Sequence, residues 1–191
     1  MTSSRHPSGS DRVAEVARDL TEDLILNLQG DEPLLPVSTI QALVEFARDC
    51  PGLTVVTAMI PLLHEGDIVN PNIVKVVGST ASRALYFSRY PVPYRKYSPL
   101  DVGDTSSRIM QSGYYKHIGI YLYRREFLLK FVTLRPTPLE LSESLEQLRI
   151  LEHGFPVFLV KVAEDSISVD TEEDVVLVES LIGAPENSLK S

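Results

Sequence analysis

The sequence predicts an α/β fold with an antiparallel patch in its middle. Three observations carry that expectation. Short apolar runs alternate with segments of helical period, as at 24–28, 38–49 and 53–59. Several connections are long enough for crossovers. Two β-rich runs, 73–78 and 84–88, are separated by the turn-forming GSTAS, a hairpin-like arrangement.

The elements follow in chain order. Val13, Val16, Ala17 and Leu20 form the apolar stripe of a first helix over 11–20. Leu24 to Leu28 is a short apolar strand that runs into Gln-Gly-Asp-Glu-Pro. Ser38 followed by Gln41 reads as a capping box, opening a helix that Pro51-Gly52 ends. Leu53 to Met59 is a β-rich strand, and PVPYRKYSPLDVGDTSSR is a long polar loop of the kind that serves sites. Tyr114 to Tyr123 alternates as a strand, with Tyr115, His117, Gly119, Tyr121 and Tyr123 on one face and Ile118, Ile120 and Leu122 on the other. A short helix is expected over 125–132. A longer one is expected over 139–152, with Leu141, Leu145, Leu148 and Leu151 as its stripe and Gly154 as its stop. VFLVKV is the last strand, and Asp170 opens a final helix ended by Gly183.

Length and composition narrow the function. The 191 residues suit one domain, or one with a small appendage, and 43% hydrophobic with 23% charged residues is ordinary for a globular protein. No apolar run is long enough to cross a bilayer, and the first residues lack the apolar core of a signal peptide. The single cysteine, Cys50, excludes an intrachain disulfide framework, so a cytoplasmic location is the default. The net charge of −8, without a Lys/Arg cluster, argues against nucleic acid. Small anions remain open as ligands if a metal ion supplies positive charge. P-loop, GxGxxG, GxSxG and Cys/His metal patterns do not occur.

Asp31 follows an apolar strand, where ligands collect in open α/β sheets, and its carboxylate suits a hard Mg²⁺ ion. The plainer reading of the motif alone is a polar turn. Asp170, with Glu173 three residues on, is an N-cap signature that also leaves a carboxylate for a ligand. His117 and Tyr121 flank Gly119, so they border a hollow suited to a polyhydroxylated ligand, or simply pack on a helix. Glu143 lies by helical spacing near Glu146 and Gln147, on what reads as a solvated face. Arg89 ends a strand, where it can grip a carboxylate or make a surface contact. The run His6, Ser8, Gly9, Ser10, Asp11 and Arg12 precedes a helix, where it caps the helix or holds a nucleotide.

HPSGSDRVAEV, NLQGDEPLLP, NPNIVKVV, ALYFSR, HIGIYLYR, PLELSESLEQLRILEHG and SVDTEEDV occur in one order along nearly the whole chain. In that combination the sequence resembles the CMP-KDO synthetases, the 3-deoxy-manno-octulosonate cytidylyltransferases. The resemblance implies transfer of CMP from CTP to KDO, giving CMP-KDO and pyrophosphate for lipopolysaccharide synthesis. It implies a nucleotide-diphospho-sugar transferase-like, Rossmann-like fold with a mostly parallel sheet. It also implies an antiparallel subdomain, about 85–125, for sugar binding and homodimerisation. The cytidylyltransferase domain is expected over 1–183 and a disordered tail over 184–191.

By the same resemblance Asp31 and Asp170 match the magnesium-binding aspartates. His6, Ser8, Gly9, Ser10, Asp11 and Arg12 match the segment near cytosine and ribose. Arg89, His117, Tyr121, Glu146 and Gln147 match the KDO pocket, with Gln29 between the two ligands. Ser10 stands where threonine is commoner; the hydroxyl is kept. The family pattern begins with a strand and a basic loop, PARxxSTRLPGKPL, which has no counterpart in this sequence. The fold is therefore expected with its N-terminal part absent. The chain by itself is expected to be weakly active and prone to associate, with a non-catalytic nucleotide- or sugar-binding remnant as the alternative.

Overall fold

The computed structural model describes residues 2, 6, 8–94, 113–166, 169 and 172–182. Its elements are α1 (Gly9–Ala17), β1 (Leu24–Asn27), α2 (Val37–Asp49), β2 (Val55–Pro61), α3 (Glu65–Val69), β3 (Lys75–Gly78), β4 (Ala84–Ser88), β5 (Tyr115–Arg124), α4 (Arg125–Phe131), α5 (Pro138–Glu143), α6 (Gln147–Glu152), β6 (Val157–Lys161) and α7 (Glu172–Ile182).

Six strands form one mixed sheet in the order β4-β3-β5-β2-β6, with β1 paired to β5. β2 and β6 pair in parallel, while β1, β2 and β3 each pair antiparallel to β5, and β4 antiparallel to β3. It follows that β1, β2, β3 and β6 point one way and β4 and β5 the other. The mostly parallel sense is thus a matter of strand direction, because direct parallel pairing is confined to β2 and β6 among the described residues. Among the described residues β1 pairs on one side only, with β5.

The alternation along β5 determines the layering. Tyr121 and Tyr123 belong to one core cluster, with Ala14, Ala17, Phe127, Leu128, Phe131 and Leu148. Ile118, Ile120 and Leu122 belong to the other, with Leu43 and Ala47. So α1, α4 and α6 cover one face and α2 the other, a helix–sheet–helix sandwich. Each fully buried leucine or phenylalanine in these layers contributes about 1.5–3 kcal/mol. Residues 82 and 83, ahead of β4, reach the outer edge of β6, through an Arg83–Phe158 bridge and a 2.9 Å hydrogen bond from the Leu159 N–H to the Ser82 carbonyl. The sheet therefore curls until its two ends meet.

Several helix expectations need correction. The buried face of α1 is Ser10, Ala14 and Ala17, while Val16 is 49% exposed and Leu20 lies beyond the helix. α1 runs from Gly9, capped by Ser8, to Ala17, so of the expected stripe only Ala17 is buried, with Val13 partly so. Ser38 does not cap α2, which starts at Val37 after Pro36; its hydroxyl instead donates to Glu164 Oε1 at 2.6 Å. The long helix expected over 139–152 is two short ones. Ser144 sits at φ 54°, in the left-handed region, and ends α5 before α6 begins. Leu141 is accordingly 70% exposed, whereas Leu145 and Leu148 are buried. The true start of this unit is Thr137, whose backbone N–H donates to Glu140 Oε2 at 3.1 Å in a capping box. The short helix α3 carries no stripe that periodicity could detect. Most of the polar loop, Asp170 with its cap, Gly183 and the 184–191 tail lie outside the described residues.

Candidate active site

A cleft of about 1270 Å³ opens on the side of the sheet that holds the end of β1 and the start of β5. Segments far apart in sequence line it: Gly9, Ser10 and Arg12 from α1, Gln29 and Asp31 from the loop after β1, Arg89 after β4, His117 and Tyr121 from β5, and Glu146 and Gln147 at the start of α6. Ten of the fourteen sequence candidates are thereby brought to one place. His6, Ser8 and Asp11 do not line the cleft. His6 pairs with Glu15, and Ser8 is the α1 cap, accepting from the Asp11 N–H at 3.3 Å and donating to Asp11 Oδ2 at 2.8 Å. Asp170, the remaining candidate, is outside the described residues. The residue before it is not: the Val169 N–H donates to the Asp31 carbonyl at 2.8 Å. The QGDEP loop is therefore stitched backbone to backbone to Val169.

The loop itself is a tight turn. The Glu32 N–H donates to the Gln29 carbonyl at 3.2 Å, closing Gln29-Gly30-Asp31-Glu32. Asp31 is exposed toward the cleft. The hollow expected beside Gly119 is filled from within the protein. A Cβ at that position would lie 2.9 Å from Glu32 Oε1 and 3.2 Å from Gln29 Oε1. The glycine makes room for these two side chains rather than for a ligand alone.

His117 and Tyr121 are buried and belong to a ring series. His117 meets Phe87 edge-on at 5.1 Å and Tyr121 at 5.4 Å; Tyr121 stacks on Tyr123 at 5.8 Å. The rings thus pack on one another rather than on a helix, and both residues also line the cleft. Thr57 Oγ1 donates to the Ile120 carbonyl at 2.7 Å and lies 2.9 Å from His117 Nε2. Since the hydroxyl has one proton, and a carbonyl can only accept it, His117 Nε2 is the donor to Thr57. Burial, assisted by the Lys116 charge, lowers the His117 pKa to about 3, so the imidazole is neutral at pH 7. The unfolded chain protonates this ring near 6.5 while the fold does not. Stability is therefore full above about pH 6.5 and falls as the pH drops toward about 3. One such group tilts the unfolding free energy by about 1.4 kcal/mol per pH unit across that window. Denaturant melts between pH 7 and 4 are expected to show this slope, and His117→Gln to flatten it.

Arg89 is held by backbone carbonyls, donating from Nε to Glu143 at 2.9 Å and from Nη1 to Pro71 at 3.1 Å. Its own backbone N–H donates to Glu143 Oε2 at 2.9 Å, and Ser88 Oγ donates to Glu143 Oε1 at 2.7 Å. Glu143, expected on a solvated face, is thus the clamp that orients Arg89, whose Nη2 has no hydrogen bond among the described residues. Lys75, fully buried, donates from Nζ to the carbonyls of Asn70 (2.8 Å), Ile73 (2.6 Å) and Arg89 (2.5 Å), fixing the same rim from below; burial lowers its pKa. Burial likewise raises the pKa of Tyr121 and of Tyr123, which hydrogen-bonds Ser10.

Sequence reasoning missed Glu32, Asn27, Lys116 and Asp165, which also line the cleft. Lys116 bridges to Asp165 Oδ1 at 2.9 Å and to the Ser166 carbonyl at 3.0 Å. Period-two reading sets Lys116 opposite His117 and gives no hint that both reach the cleft from the end of the strand. Among the described residues no group of three or more His, Cys, Asp or Glu side chains forms a metal cluster. No helix among them is long and apolar enough to cross a membrane.

The family model described as Cytidylyltransferase matches residues 1–166. The chain is 44% identical over 178 residues to a 3-deoxy-manno-octulosonate cytidylyltransferase of Pelobacter propionicus, covering 92% of this chain and 69% of that protein. It is 41% identical over 191 residues to the enzyme of the same name from Fusobacterium nucleatum, covering 100% of this chain and 73% of that one. Its fold resembles a solved CMP:2-keto-3-deoxy-manno-octonic acid synthetase complexed with CTP, with TM-score 0.83 and 36% identity, over 95% of this chain and 70% of that one.

Proposed function

The chain belongs to the cytidylyltransferase family, as a nucleotidyltransferase of the CMP-KDO synthetase kind, and we propose that its cleft activates KDO with CMP from CTP. The observation that carries this reading is the convergence of the α1 start, the QGDEP loop, Arg89, the HIGIY face and Glu146-Gln147 on one cleft. The KDO hydroxyl oxygen forms a bond to the α-phosphorus and its proton passes to water, while the bond from phosphorus to the bridging oxygen breaks and pyrophosphate leaves.

Each group in the cleft has work that suits this transfer. Gly9, Ser10 and Arg12 present a helix start and a cation to the nucleotide. Arg89, oriented by Glu143 and Pro71, offers Nη2 to the ketosugar carboxylate. Neutral His117 with Tyr121, and Gln29, Glu146 and Gln147, supply a hydrogen-bonding wall for hydroxyls. Because little covalent chemistry falls to the protein, catalysis is chiefly positioning and electrostatics.

Mg²⁺ is the proposed cofactor, and the donor chemistry fits it: an exposed Asp31 carboxylate, with the segment leading to Asp170 bonded to the same loop. Bound there, the ion would supply Lewis-acid charge against the negative charge at phosphorus. Action in the cytoplasm, a homodimer and a place in lipopolysaccharide synthesis complete the proposal.

The test is pyrophosphate release by the purified chain with Mg²⁺, KDO and either CTP or UTP. Release with CTP and KDO together, well above either alone, is expected. A strong preference for UTP, or release that ignores KDO, rejects the assignment.

A further inference from the structure

The two edges of β5 are used unequally. One edge pairs with β2 along its length, but the register jumps from Thr57↔Tyr121 to Ala58↔Ile118, so Gly119 and Ile120 have no partner there. The other edge is shared. β1 takes Tyr121 to Arg124, and β3 takes Tyr115 and Lys116. His117 still reaches the residue before β3, its N–H donating to the Val74 carbonyl at 2.8 Å. Gly119, two residues on, therefore faces the gap between β1 and β3. Its N–H donates to Glu32 Oε1 at 3.1 Å. On the β2 side the Thr57 hydroxyl donates to the Ile120 carbonyl at 2.7 Å, with the Ile118 carbonyl 3.1 Å away. A strand interruption is thus held from both edges, in the middle of the candidate site, where bulges commonly re-aim side chains.

We propose that Glu32 is a positioning residue that pins the Gln29–Glu32 turn onto this interruption, and so fixes Gln29 and Asp31 relative to His117 and Tyr121. Three features support it. The turn is closed by its own Glu32-to-Gln29 hydrogen bond, so an anchor on Glu32 orients the whole of it. Gly119 leaves just enough space, since any Cβ there would press on both Glu32 and Gln29. Glu32 Oε2 is buried and has no hydrogen-bond partner among the described residues. A side chain serving stability alone gains nothing from that orphaned oxygen. The far end of the turn is tied as well, through the Asp31 carbonyl to Val169. Glu32 thereby links β5, the turn and the segment that leads to Asp170. The consequence for turnover rests on the cytidylyl-transfer reading above; the pinning does not.

The experiment is amide hydrogen exchange by NMR on the full chain and on Glu32→Ala and Glu32→Gln. In Glu32→Ala, Gly119 and Val169 are expected to exchange at least about tenfold faster while Leu122 to Arg124 keep their rates. Glu32→Gln, which retains an acceptor oxygen, is expected to restore slow exchange. Gly119→Ala approaches from the strand side and is expected to reproduce the local pattern, which covers the case that Glu32→Ala folds poorly. Transfer assays on the same proteins are expected to show kcat reduced about 10- to 100-fold in Glu32→Ala, with the KM for CTP little changed and recovery in Glu32→Gln. Unchanged exchange at Gly119 and Val169, or an equal rise at every amide, would overturn the pinning. Unchanged kcat in Glu32→Ala with wild-type turnover present would overturn its catalytic consequence. Absence of turnover in the unmodified chain would count against the proposed function instead, and the exchange pattern would still judge Glu32.

Discussion

Asp31→Asn is expected to lower cytidylyl transfer by about 10³-fold or more while leaving the melting temperature nearly unchanged. The side chain is exposed at the cleft, so its replacement by an isosteric amide removes no core contact. The hydrogen bond that ties this loop to Val169 uses the Asp31 carbonyl and survives the change. What is lost is one negative charge and a hard oxygen donor. Under the proposed Mg²⁺ chemistry that charge is worth several kcal/mol at the transition state, and about 4 kcal/mol corresponds to roughly 10³ in rate. The measurement is pyrophosphate release at saturating CTP and KDO, beside a thermal melt. Near-normal turnover in Asp31→Asn would remove Asp31 from the reaction. A large fall in melting temperature would recast it as a structural residue.

Glu140→Ala should have the largest effect on stability. Glu140 and Arg149 form a buried, two-pronged ion pair joining α5 to α6: Arg149 Nε donates to Oε2 at 2.8 Å and Nη2 to Oε1. The hydrogen bonds from Arg149 raise its pKa further. Oε2 also accepts the Thr137 N–H, so one carboxylate serves both the capping box and the ion pair. Its removal leaves a guanidinium and an N–H unpaired in a dry environment. Breaking one side of such a pair costs about 3–5 kcal/mol, which for a chain of this size is a fall of about 6–20 °C in melting temperature. Glu140→Leu with Arg149→Met should recover much of it, because two apolar side chains leave no orphaned charge. A drop of under 2 °C in Glu140→Ala, taken as roughly 1 kcal/mol or less, would show the pair to be solvated.

The pattern of successes and misses follows from which interactions are local. Tyr114 to Tyr123 could be read as a strand with two distinct faces because side chains alternate by backbone geometry, and the two core clusters divide along that alternation. The 139–152 helix was overextended for the opposite reason. Its leucine spacing continues through Ser144, but Glu143 is claimed by Ser88 and Arg89, over fifty residues away in sequence, and the chain turns there. Glu32 was passed over beside Asp31, since nothing in QGDEP announces that its second carboxylate reaches the Gly119 N–H. Both Ser8 and Ser10 lie in the polar run that opens the first helix, where either hydroxyl can cap. The fold separates them: Ser8 caps α1, and Ser10 is buried against Tyr123.

The sequence by itself determined the α/β class, the position of nearly every strand, the family resemblance and ten of the residues that meet in the cleft. These depend on periodicity and on short ordered motifs, which a chain carries regardless of what it packs against. Only the tertiary structure decided that β1 pairs on one side, that Glu143 orients Arg89, that His117 is buried neutral against Thr57, and that Glu32 occupies the gap in β5. Each of those depends on a hydrogen bond or on desolvation between segments far apart in the chain, and such energies exist only once the fold has brought the partners together.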